Sequence, residues 1–375
     1  MFGLRSLRLG RPFGIPLEVD ASWLFVFFLV AASLTTSYFP AELPDLGAVA
    51  YVTLGLLTAM AFFGSLILHE LAHSLVARAG GLHVSRVTLF VFGGVSQIDD
   101  EPHSPGHEFV MALAGPVMSV ALAGAFWGAS SIALGAGAPD VLRVPLTYLA
   151  VINASLAVFN MLPGFPLDGG RVVRAVLWGI TKDALKATRW ASRSGQAIGT
   201  VLIAIAVFGV LGGTFDLVWL AVMGWFLSSM AAGAYRQQEL RATLARVPLS
   251  RIMSVEPTLV AADTTLEEMA RSYFLTGRHT RYPVLRDGHV IGMVDIERAS
   301  EVPRERWPVT TVEEVASRDL EDIVATPETL VDDVLHRLEP GGPGAILVVE
   351  DRRLAGIVTR ADVIRFIMDK TRSEA

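Results

Sequence analysis

Hydrophobic positions in the first part of the chain come in long uncharged runs rather than in the short alternations of a soluble domain. The runs near bilayer length are Ala21 to Phe39, Val49 to Ala77, Phe109 to Leu134, Val144 to about Leu162, Ala197 to Leu211 and Leu217 to Tyr235. Between the second and third runs, VSRVTLFVFGGVSQI alternates and is β-branched, which predicts a short membrane-associated β-hairpin with Gly93 and Gly94 at its turn or bulge. A loop packed on the helices is the alternative. After Tyr235 the charges return and a repeat begins. LVAADTTLEEMA and RYPVLRDGHVIGMVDIERA are followed at a constant shift by IVATPETLVDDVL and AILVVEDRRLAGIVTRADV. Each copy predicts a helix, a strand, a turn at Asp287-Gly288 or Asp351-Arg352, a second strand and another helix. The expected fold is therefore a polytopic α-helical membrane domain of about six transmembrane helices over residues 1–235, a linker over 236–248, and a compact α/β pair over 249–375.

Composition agrees with this division, because 52% of the residues are hydrophobic and only 18% charged, too apolar for one soluble domain. The absence of cysteine removes disulfides and thiolate metal sites, so a transition metal must be held by His and carboxylates. A net charge of -6 gives no electrostatic case for nucleic acid. The N-terminal arginines faintly resemble a secretory signal, but no small-residue cleavage site follows, so the first helix is read as retained. Arg5, Arg8 and Arg11 precede the first run, Arg78 and Arg86 follow the second, Arg171 to Arg193 follow the fourth, and Arg236 and Arg241 follow the sixth. With an even number of spans all of these fall on one side, which predicts that both termini and the repeat are cytoplasmic.

The second run contains His69-Glu70-Leu71-Ala72-His73. On a helix His69 and His73 lie one turn apart on one face and can reach a single Zn²⁺, while Glu70 can address a water beside it. Ionisable side chains are costly within an apolar span and want a partner or a metal; a polar helix interface or a proton path is the alternative. A third ligand should come from another span at the same depth. NMLPGFPLDGGR closes the fourth run, its prolines and glycines breaking the helix, and Asp168 lies just before Arg171 and Arg174. His73 and His69 sit roughly 7–14 Å inside the boundary marked by Arg78, which matches that depth. His69, His73 and Asp168 would leave an open position, the catalytic pattern; the competing reading pairs Asp168 with Arg171. Asn160, two turns before Asp168, could donate to a developing oxyanion or make a helix-packing hydrogen bond. His83, His103 and His107 lack ligand spacing and are expected to be solvated or capping, and Glu108 is expected to be a helix N-terminal carboxylate.

HExxH on one span and NxxPxxPLDGG on a later one resembles the paired signature of the site-2 protease family of intramembrane zinc metalloproteases. The resemblance implies zinc on His69, His73 and Asp168, Glu70 as general base, and Asn160 assisting substrate or oxyanion. It also implies that the Gly93-Gly94 segment pairs with an unwound substrate. Gly115-Pro116 is similar to the family pattern as well; its plain reading is a kink. The implied substrate is a single-span membrane protein, such as a membrane-tethered transcription regulator or an anti-sigma factor, in a bacterial or archaeal plasma membrane. The repeat resembles paired CBS domains, which commonly bind adenine nucleotides such as ATP or AMP and form homodimers. Thr359 and Asp362, within GIVTRAD, match the ribose-binding signature, whereas the first copy has Asp295 and Arg298 at those positions. A CBS-gated metal-ion transporter or channel is the alternative function.

Overall fold

A computed structural model describes residues 7–91, 93–98, 101–255, 257–274, 281–317, 323–338, 344–350 and 353–373. The chain divides into two compact units, Met1–Arg236 and Gln237–Ala375.

Among the described residues, six helices are long and apolar enough to cross a membrane. They are α1 (Ala21–Glu42), α2 (Ala48–Ala79), α3 (Pro105–Gly135), α4 (Asp140–Asn160), α6 (Ala184–Leu211) and α7 (Phe215–Leu244); a shorter helix, α5 (Asp168–Thr181), lies between α4 and α6. The helices α6 and α7 are longer than their uncharged runs, so the segment expected as a linker is helical as far as Leu244. Their ends follow from local chemistry. Asp20 caps α1 by accepting from the Ser22 N–H at 2.8 Å, and Ser104 caps α3 by accepting from the His107 N–H at 3.2 Å. The hydrogen bond at Ser22 holds the Asp20 carboxyl below its ordinary range.

Lipid supplies little hydrophobic drive between helices, so their contacts depend on small residues and buried hydrogen bonds. Ser192 on α6 donates to the Ala231 carbonyl of α7 at 2.8 Å, and Gly199 and Gly224 let the two backbones touch. On α4, Asn153 donates to the Ser65 hydroxyl of α2 at 3.2 Å. Large apolar side chains such as Phe25, Ile132 and Phe208 point outward, as lipid-facing positions should.

The expected hairpin is part of a larger sheet. Strands β1 (Leu7–Gly10), β2 (Leu17–Val19), β3 (Val84–Phe90) and β4 (Gly93–Ile98) line up in that order, with β2 parallel to β3 and the other pairs antiparallel. The N-terminal strands were not legible as such because each is only three or four residues long. Gly93 opens β4 at φ 129°, a conformation that favours glycine. As the last strand in the order, β4 has one edge unpaired in the sheet among the described residues.

The second unit holds two three-stranded sheets of matching topology. Strands β5 (Val260–Ala261), β6 (Arg281–Arg286) and β7 (His289–Asp295) form one, and β8 (Val324–Ala325), β9 (Ala345–Glu350) and β10 (Arg353–Thr359) form the other. The Asp287-Gly288 turn is present, with φ 51° and 80°, the doubly left-handed form that hairpin twist selects. The Asp351-Arg352 turn lies outside the described residues. Met293 of the first copy packs with Leu347 and Ile357 of the second in a shared apolar core.

A side chain at Gly199 would run into the Gly224 carbonyl, so Gly199→Val is expected to destabilise the α6–α7 pair by about 1–3 kcal/mol. A lowered thermal midpoint of the detergent-solubilised protein is the readout, and an unchanged midpoint would refute the packing.

Candidate metal centre

His69 and His73 project from one face of α2, and both are almost wholly buried, at 3% and 5% exposure. Asp168 is the first residue of α5, just beyond the break that Pro163 to Leu167 makes after α4. Its Oδ2 lies 3.1 Å from His69 Nε2 and 3.2 Å from His73 Nε2, and the two Nε2 atoms are 3.2 Å apart. The structure therefore brings together the two histidines and the aspartate, and Asp168 faces the imidazoles rather than Arg171.

The outer nitrogens decide what this triangle can hold. His73 Nδ1 lies 2.7 Å from the Met111 carbonyl, which can only accept, so Nδ1 carries a proton and, in the neutral imidazole, Nε2 presents a lone pair. His69 Nδ1 meets the Ser119 hydroxyl at 2.9 Å. Two acceptors, His73 Nε2 and Asp168 Oδ2, thus face each other in a buried site and require a positive charge between them. A tetrahedral zinc with ligand distances of about 2.0–2.1 Å would separate its ligand atoms by about 3.3–3.4 Å. The observed triangle is within a few tenths of an ångström of that, and the set of two imidazoles and one carboxylate suits zinc.

The site is crowded by design of sequence. A Cβ at Gly115 of α3 would lie within 3.0 Å of both Nε2 atoms, so the bareness of this position has a steric function beyond the expected kink. The segment before Asp168 is fixed from α6: Ala191 O accepts from Phe165 N at 3.1 Å, Ser194 donates to the Pro163 carbonyl, and Gly164 packs against Gly195.

Glu70, one residue on from His69, turns toward β4. Its Oε2 accepts from the Ser96 hydroxyl at 2.9 Å, and Ser96 is in turn 3.0 Å from Ser74. Gly94 leaves room for the Glu70 methylene, which a Cβ there would strike. Asn160, the last residue of α4, is half-buried, and among the described residues its amide makes no hydrogen bond. His83 and His103 are exposed; His107 reaches the Val76 carbonyl at 3.4 Å, and none of the three joins the ligand group. Glu108 lies in the first turn of α3 as expected, and it is also buried and paired with Arg174 at 2.7 Å. Met111, Gly115, Ser119 and Ser96 were not singled out from the sequence as partners of the site. Their only signal is the i, i+4 spacing of the first three on α3 and the alternation of Ser96 with Gly94 on β4.

In the second unit, Asp362 Oδ2 accepts from the Thr359 N–H at 2.8 Å and the Thr359 hydroxyl at 2.6 Å, while Oδ1 accepts from Ser254 at 3.0 Å. The two sequence-predicted residues are adjacent where β10 passes into the helix Arg360–Ser373. In the first copy Asp295 instead caps its helix by accepting from Arg298 N at 2.8 Å.

Two substitutions probe the triangle without touching a ligand. Ser119→Ala is expected to weaken zinc binding about 10-fold to 100-fold by releasing His69, and Gly115→Val to abolish it by filling the site. Chelator competition on purified protein measures both; wild-type affinity in either variant would contradict the geometry.

Comparison with known proteins agrees with these features. Peptidase family M50 matches residues 57–140 and 128–206, and the CBS domain matches 249–302 and 312–369. The chain is 37% identical to a Mycobacterium tuberculosis protein named "Putative zinc metalloprotease Rip3", over 96% of this chain and 93% of the relative. It is 31% identical to a Synechocystis protein named "Putative zinc metalloprotease sll0528", over 96% and 95%. Among solved structures, the site-2 protease from Methanocaldococcus jannaschii is 26% identical, covering 62% of this chain and 95% of that one, at a TM-score of 0.42. With its six apolar helices and CBS pair, the chain belongs to the site-2 protease family and is a zinc-dependent intramembrane peptidase.

Proposed function

We propose that the membrane unit hydrolyses a peptide bond within or near the transmembrane segment of a single-span protein, a membrane-tethered transcription regulator or an anti-sigma factor. The observation that carries this reading is the convergence of His69, His73 and Asp168 beside Glu70. In it His69, His73 and Asp168 are the zinc ligands. Zinc held by three protein ligands supplies Lewis acidity toward the scissile carbonyl and toward water.

The chain's own residues do the rest. Glu70 takes the proton of the attacking water and returns it to the leaving amine nitrogen, the work of a single positioned carboxylate. Ser96, donating to Oε2, steadies that carboxylate. Asn160 has an amide free to donate to the substrate carbonyl oxygen as charge develops there. The unpaired edge of β4 offers backbone groups to an unwound segment of substrate, which must leave its helix before a peptide bond can be reached. Both termini and the CBS pair lie in the cytoplasm of a bacterium or archaeon, consistent with the clustering of arginines on one side of the spans.

The CBS pair, residues 249–375, is the regulatory domain on this reading, binding an adenine nucleotide through Thr359 and Asp362 and pairing with a second copy. Support comes from the adjacency of a hydroxyl and a carboxylate at the end of β10. Arg298 replaces the carboxylate in the first copy, which leaves one site of this kind.

Glu70→Gln is expected to retain zinc while cleavage falls about 10²-fold to 10⁴-fold. Comparing the membrane proteomes of cells carrying either form should reveal an accumulated single-span precursor; identical precursor levels with zinc retained would refute the assignment. Asp362→Asn preserves the helix cap and is expected to weaken ATP binding about tenfold or more in calorimetry. Equal affinity of the two proteins for ATP would remove Asp362 from the nucleotide site.

A further inference from the structure

Two charged side chains with no part in the proposed hydrolysis are buried between α3 and α5, the helices that carry Gly115 and Asp168. Glu108, in the first turn of α3, is 1% exposed, and Arg174 of α5 is 7% exposed. The Arg174 Nη1 donates to Glu108 Oε1 at 2.7 Å, its Nε donates to the Thr188 hydroxyl of α6 at 2.8 Å, and its guanidinium carbon stands 5.7 Å from the Trp178 ring. Glu101 Oε2 is 3.9 Å from Nη2. The second Glu108 oxygen, Oε2, is buried without a hydrogen-bond partner among the described residues. Burying an ion pair is costly, and apolar residues of similar volume commonly hold two helices together as well or better. Stability alone does not explain why the pair is there.

What it connects does. Glu108, Met111, Gly115 and Ser119 follow one another at three- and four-residue steps, so they form a single stripe along α3, and all four are buried. Met111 holds His73, Ser119 holds His69, and Gly115 makes room for both imidazoles. Asp168 stands on α5, six residues before Arg174. The same stripe that orients the histidines therefore grips the helix of the third ligand through Glu108.

We propose that Glu108 and Arg174 are positioning residues that fix the register of Asp168 against the histidine pair, with α3 as the common frame for all three ligands. The proposal rests on the reading of His69, His73 and Asp168 as zinc ligands. The magnitudes favour an ion pair for this task. An apolar contact survives a slip of one residue, which moves a helix by about 1.5 Å, whereas metal–ligand distances tolerate only about 0.2 Å. A buried charge-assisted hydrogen bond of 2.7 Å is lost on such a slip.

The test uses the full-length protein in detergent and reads two quantities, zinc affinity by chelator competition and the thermal midpoint of the zinc-free form. Glu108→Gln, which keeps volume and an acceptor, is expected to lower zinc affinity about 10-fold to 100-fold, and Arg174→Lys to act in the same direction. The double variant Glu108→Leu/Arg174→Met is expected to recover the zinc-free thermal midpoint but not the affinity. A double variant with both quantities at the wild-type level overturns the proposal and makes the pair merely structural. Should the double variant not fold, Glu108→Gln decides alone, and unchanged affinity in it is equally fatal. Failure of the wild-type protein to bind zinc would instead strike at the ligand assignment.

Discussion

Three electron-pair donors, two from one helix and one from another, meet within hydrogen-bonding distance in a buried site of a membrane domain. A proton or a metal ion between these donors offsets the repulsion of neighbouring lone pairs that have given up hydration, and the spacing suits the metal. The surrounding architecture can be read as the set of contacts that make this arrangement stable. The α4 helix ends and α5 begins at the depth of the histidines, Gly115 withdraws its side chain, and Met111 and Ser119 fix the imidazole orientation. Each device deals with a different degree of freedom: depth, space and rotation.

The functional groups are distributed over elements of different character. Both histidines and Glu70 come from one long regular helix, so their mutual geometry is set by helical pitch. Asp168 comes after a break and depends on contacts from α6 to the loop that precedes it. The sheet contributes a hydroxyl at Glu70 and an open strand edge close by, both on β4. Glu70 is therefore in contact with the strand at the edge of the sheet.

Outside the membrane unit, the CBS pair repeats one topology with different chemistry in each half. Its backbone symmetry follows from the shared pattern of strands and turns, whereas its two candidate sites differ because single positions do. A carboxylate in one copy and a guanidinium in the other cannot make the same contacts to a ribose.

The membrane class, the spans, the repeat and the histidine–glutamate spacing were determined by sequence alone, because each depends on local periodicity or on run length. The meeting of His69, His73 and Asp168 was legible too, since the helix-breaking segment marks the depth of Asp168. Tertiary structure decided the rest. Glu108 read as a helix N-terminal carboxylate, and only the fold shows Arg174 beside it, sixty-six positions along the chain. The short N-terminal strands, the Ser96 contact to Glu70 and the steric need for Gly115 were hidden for the same reason. They are properties of surfaces brought together from distant segments, and no periodicity within one segment encodes which surface will face which.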